Sequence, residues 1–153
     1  MEGHQQLTAP AAILFWSVLI AFVFYLRTLR SVLQNCAPTS RTMTPGKVWL
    51  ISIPVFGLLW QFIVVMNIGK SLRKEFARLG ISHPDRTPGK IIGMAWCVCS
   101  CCILLSLRGG STALTGFLFL AGLGLWIFYW IAIANYERIL ETAHAVAPAS
   151  PLA

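Results

Sequence analysis

The stretch Ala113–Ala134, ALTGFLFLAGLGLWIFYWIAIA, contains no Asp, Glu, Lys, Arg or His. As a helix rising about 1.5 Å per residue it is about 33 Å long, enough to cross a hydrocarbon core about 30 Å thick. Three more uncharged apolar runs precede it: Ala9–Leu26, Val48–Ile68 and Ile91–Leu107. Each covers most or all of the same thickness. The pattern predicts an all-α membrane protein whose four transmembrane helices form an antiparallel up-down bundle.

Composition points the same way. Hydrophobic residues make up 57% of the 153 positions and charged residues 11%, with a mean hydropathy of +0.72. A water-soluble fold of this size cannot hide that much apolar surface. Outside the runs lie an N-terminal stub, two loops of about twenty residues, a tight turn and a tail. None can build a core alone, so residues 1–153 read as a single membrane domain. The first run is longer than a signal-peptide core and leads into Leu26-Arg27-Thr28-Leu29-Arg30 without a small-residue cleavage site, so it reads as a retained anchor.

Thr44-Pro45-Gly46-Lys47 and Thr87-Pro88-Gly89-Lys90 stand before the second and third runs. A Thr cap accepts an orphan N–H, and Pro at the first helical position needs no partner. Arg108 to Thr112 is short enough to force the last two helices into an antiparallel hairpin. Beyond Ile68 the second helix is expected to continue over 69–79 as a basic amphipathic extension. Leu72, Phe76 and Leu79 share one face, and Lys70, Arg73, Lys74 and Arg78 point to lipid head groups until Gly80 stops the helix. The Ala/Pro-rich tail 145–153 reads as disordered.

With four spans both termini fall on one side. Placing them in the cytoplasm of an inner membrane sets seven Lys and Arg inside against five outside. Tyr25 and Trp49 then anchor one interface, and Tyr129, Trp130 and Tyr136 the other.

Four of the five cysteines fall in Cys97-Val98-Cys99-Ser100-Cys101-Cys102. At about 100° per residue Cys97 and Cys101 share a face while Cys99 and Cys102 lie roughly opposite, which argues against one closed metal site. Gly89, Gly93, Cys97 and Cys101 repeat every four residues, a stripe of small residues that suits close helix packing. Gln61 in the second run fits an interhelical hydrogen bond.

Chemistry by ionisable groups finds no support. His4, His83 and His144 sit in the stub, a loop and the tail, and no nucleophile stands beside a base. The expectation is a non-enzymatic protein without cofactor or metal, partnered by lipid and not by nucleic acid.

The segment Asn35-Cys36 through Arg41-Thr42-Met43-Thr44-Pro45-Gly46-Lys47-Val48-Trp49-Leu50, then Ile53-Pro54-Val55-Phe56, Trp60-Gln61-Phe62 and Ser71-Leu72-Arg73-Lys74-Glu75-Phe76, resembles small uncharacterised bacterial multi-span inner-membrane proteins. The resemblance covers about a third of the chain and implies a bacterial membrane protein with no assigned activity. Two functions fit the residues: a structural or accessory subunit docked on a larger membrane complex, or a homo-oligomeric pore lined by Ser52, Gln61 and Asn67.

Overall fold

The computed structural model describes residues 8–53, 55–81, 89–109 and 112–146, and all regular structure among them is helical. Four α-helices, α1 (Thr8–Asn35), α2 (Phe56–Arg78), α3 (Lys90–Gly109) and α4 (Thr112–Val146), are joined by a 3-10 helix, Pro45–Ser52, between α1 and α2. Three of them, α1, α3 and α4, are long and apolar enough to cross a membrane.

The second apolar run departs from the single crossing helix expected of it. Val48–Ile68 does not form one helix: its first part is 3-10, the chain turns at Ile53 and Val55, and α2 starts only at Phe56. The uncharged part of α2, Phe56 to Gly69, is about 21 Å long, short of a full crossing. Thr44 does occupy the cap position with Pro45 after it, but its hydroxyl makes no capping bond, and the helix it opens is the 3-10 one.

Packing fixes how the helices run. Val65 of α2 lies against Gly93 of α3, and Gln61 faces Cys97, so α2 and α3 are antiparallel. Cys99 donates to the carbonyl of Leu118, and Thr115 donates to Ser106, which makes α3 and α4 an antiparallel hairpin. Trp130 donates to Thr28, and Tyr25 packs on Trp126 and Tyr129, so α1 and α4 run side by side in the same direction.

Two expectations change as a result. The start of α1 and the end of α4 lie at opposite ends of the bundle, whereas four spans would have put both termini on one side. Tyr25 and Tyr129 were expected at opposite interfaces; they are neighbours, with ring centroids 6.3 Å apart.

The core occupies the end of the bundle where α1, α2 and α4 finish. Leu26, Leu29, Val32 and Leu33 form a buried stripe on α1, facing Ile68, Leu72 and Phe76 of α2 and Ile133 and Leu140 of α4. At the other end Ala12 to Ile20 of α1 are all exposed, as are Leu104, Leu105 and Leu107 of α3. Those side chains pack on little among the described residues, as expected of helices bathed in lipid.

Each helix end has a local cause. Gly80 adopts φ +67°, Ile81 N–H donates to Phe76 O at 2.9 Å and Gly80 N–H to Ala77 O at 3.4 Å, a Schellman stop for α2. At the end of α1, Arg41 caps two late carbonyls, Nε to Cys36 O at 2.8 Å and Nη2 to Gln34 O at 2.6 Å. The Thr87-Pro88 signal, Pro54 and the tail beyond Val146 lie outside the described residues.

Candidate functional site

The most distinctive feature is the hairpin made by the 3-10 helix and the first half of α2. The chain leaves α1 and turns through Cys36–Thr44. It then descends alongside α2, reverses at Ile53 and Val55, and returns as α2 to the end it came from. Thr42 anchors the entrance, its N–H donating to Ser71 Oγ at 3.0 Å and its hydroxyl to Asn67 O at 2.9 Å. Trp60 Nε1 donates to Lys47 O at 2.8 Å and ties the descending arm to the rising one. Gly57 lets the arms meet: a methyl there would overlap the carbonyl of Ile51.

The tip does not reach the far end. With Val65 opposite Gly93 and Gln61 opposite Cys97, Phe56 falls level with Cys102, about 10 Å short of the end of α3 at Gly109. The tip is also uncovered. Ser52 and Ile53 are exposed, Phe56 is 45% exposed and Val55 80%. Val55 carries φ +65° with ψ −56°, a conformation that a β-branched side chain resists.

A second feature is the polar knot that joins the ends of α1, α2 and α4. The side chain of Glu75 is fully buried. It accepts the Ala37 N–H at 3.0 Å and Arg78 Nε at 3.1 Å, and His144 Nε2 lies 3.5 Å from it. Burial alone would raise its carboxyl pKa; the hydrogen bonds from Arg78, Ser40 and Ala37, with the Arg78 charge, reverse that and hold it down at about 2. The neighbouring Cys36 thiol is pushed up to about 12, first by burial and then by the Glu75 charge. It stays protonated at neutral pH and has little nucleophilic character.

The basic residues expected at lipid head groups sit together. Lys70, Arg73, Lys74 and Arg78 are exposed along α2, opposite buried Ser71, Leu72, Glu75 and Phe76. Arg78 pairs with Glu75 and the other three project outward. The small-residue stripe lies inside the bundle. Gly93 is wedged against Val65 and Tyr129, Gly89 faces Ile133, Cys97 is fully buried, and Cys101 is half-buried.

Gln61 points inward to Cys97, Asn67 turns to its own helix and donates to Ile63 O, and Ser52 is exposed at the hairpin tip. The three residues expected around a pore therefore face three directions. The cysteines are divided as well: Cys97 faces α2 while Cys99 bonds α4, and among the described residues no three His, Cys, Asp or Glu side chains are arranged so that they could hold a metal ion.

Sequence reading missed the aromatic cluster around Tyr25. Trp96 and Trp126 lie 5.7 Å from it and Trp130 6.3 Å, mostly edge to face. The hydroxyls of Tyr25 and Tyr129, the indole N–H of Trp126 and the amide nitrogen of Gln61 are buried there without a hydrogen bond of good geometry. The parallel course of α1 and α4, with α3 packed beside them, brings these rings together, and no local signal announces it.

Comparison with known protein families, with curated proteins and with solved structures finds no match to this chain.

Proposed function

We propose that this chain is a non-enzymatic accessory subunit of a bacterial inner membrane, docking sideways onto a larger membrane assembly through its hairpin tip. Three helices, α1, α3 and α4, cross, and the hairpin enters and leaves from the side where α1 and α4 end.

The exposed turn at Ile53 and Val55 carries this reading. Non-helical backbone facing lipid is not tolerated in hydrocarbon, because its polar groups find no water; it persists where protein or an aqueous cavity covers it. Here the turn lies at the level of Cys102, within the apolar part of α3, and nothing among the described residues covers it. Its side chains, Ile53, Val55 and Phe56, are apolar, which suits a protein surface better than a water-filled path. The alternative of a pore loses support because Ser52, Gln61 and Asn67 share no surface.

The test is a photo-crosslinking amino acid at Val55 in native membranes, with the exposed Arg138 as control. The expected result is a covalent adduct with a different polypeptide from Val55 alone. Adducts with lipid only would remove the docking role, and adducts with a second copy of the chain would replace the accessory subunit by a homo-oligomer.

A further inference from the structure

Between the Cys36–Thr44 loop and the outer side of α2 lies an open groove of about 550 Å³. Arg41 and Lys47 line it together with Thr44, Asn67, Trp60 and Ile63, and no carboxylate is among its lining residues. Its charge is therefore uncompensated within the groove, unlike the Glu75 knot, where a carboxylate meets its cation.

The cations are positioned by the fold. Arg41 is held through Nε and Nη2 by the carbonyls of Cys36 and Gln34, bonds that use two of the five N–H donors of its fork. The backbone at Lys47 is held by Trp60. The planar fork of Arg suits phosphate, and the Lys47 ammonium adds a second cation to the same groove.

The groove sits where the apolar part of α2 meets its charged part. Ile63 and Trp60 lie toward the hairpin tip, and Lys70 and Lys74 continue the same stripe in the other direction. An occupant that fits must be anionic at one end and apolar at the other.

The geometry points to a bound anionic phospholipid, its phosphate held between Arg41 and Lys47 and one acyl chain lying along Ile63, Trp60 and exposed Leu59. Basic pockets of this kind at the cytoplasmic ends of membrane helices select anionic head groups. The inference requires membrane insertion but not docking on a partner, so the two stand or fall separately.

Native mass spectrometry of the delipidated full-length protein, titrated with phosphatidylglycerol or with phosphatidylcholine of the same chains, tests this. The expected result is one phosphatidylglycerol retained in preference to phosphatidylcholine. Lys47→Gln should weaken it about fivefold, the worth of one basic group near an anionic surface. Arg41→Gln should weaken it at least as much, while Lys70→Gln/Lys74→Gln should leave the single tight lipid in place. Because Arg41 also caps α1, Lys47→Gln is the deciding variant: its ammonium makes no bond among the described residues, so its melting temperature should not move. Equal retention of phosphatidylcholine, or unchanged affinity in Lys47→Gln, would overturn the site. Displacement of the lipid by millimolar inorganic phosphate would show a site for soluble phosphate and overturn the lipid assignment.

Discussion

The carboxylate of Glu75, in α2, accepts the backbone N–H of Ala37, just past the end of α1, at 3.0 Å. Thirty-eight residues separate the two in sequence, so this bond closes the hairpin onto the helix from which it departs. The Glu75 carboxyl is held at about 2, below its ordinary 4.5. A lowered folded-state pKa means that the stabilisation is full above the unfolded value and is lost as pH falls from about 4.5 toward 2. The corresponding ceiling is about 3 kcal/mol, trimmed because Arg78 is partly in water. Thermal unfolding in detergent should therefore show a melting temperature that drops between pH 5 and pH 2, with the drop much reduced in Glu75→Gln. An equal drop in that variant would show that the bonds to Glu75 do not carry the pH dependence.

Gly93 makes a separate prediction about packing. A Cβ there would stand 2.6 Å from Val65 Cγ1 and 2.8 Å from Tyr129 Cε2, whereas one at Gly124 would meet nothing within 4 Å. Gly93→Ala should destabilise by about 1–3 kcal/mol, as overpacking of a tight contact does. Gly124→Ala should be neutral or slightly stabilising, because Ala is the better helix former. A scan in which both variants melt together would show that α2 does not press on α3 at this level.

Val55 allows a test with the opposite sign. Its φ of +65° costs about 1–3 kcal/mol in a β-branched residue, and at 80% exposure its side chain contributes little packing to set against that. Val55→Gly should raise the melting temperature of the isolated protein despite the added flexibility of the unfolded chain, which takes back about 0.5–1 kcal/mol. A lowered melting temperature would mean that the turn is not held in this conformation.

What could be read from the sequence follows from how local the cause is. Uncharged runs such as Ala113–Ala134 announce their helices because both hydrophobicity and length lie in the run itself. Gly80 announces the end of α2 because only a few residues make a Schellman stop. The break in Val48–Ile68 is different: apolar residues suit a crossing helix and a descending arm equally well, and hydropathy does not register the contact of Gly57 with Ile51. One missed reversal then inverted α1 relative to the rest of the bundle, and with it the pairing of Tyr25 with Tyr129 and the side on which α1 starts. The groove was illegible for the same reason, since Arg41 and Asn67 meet only once the hairpin has closed.

That reversal changes the expected orientation in the membrane. With four spans the basic residues divided seven against five, a weak bias. In the folded chain Arg27, Arg30, Arg41, Lys47, Lys70, Arg73, Lys74, Arg78, Lys90 and Arg138 all lie in the half where α1 and α4 end, and among the described residues only Arg108 lies at the other. Basic segments near span ends resist translocation, which predicts this half in the cytoplasm and the start of α1 on the opposite side. A fluorescent protein fused after Ala153 should fold and fluoresce, and a membrane-impermeant thiol reagent should label a cysteine placed at Gln5 in intact spheroplasts, read against a background in which the native cysteines are replaced by Ser. A fusion that stays dark while Gln5 is protected would reverse the orientation, and protection of both ends on one side would restore an even number of crossings.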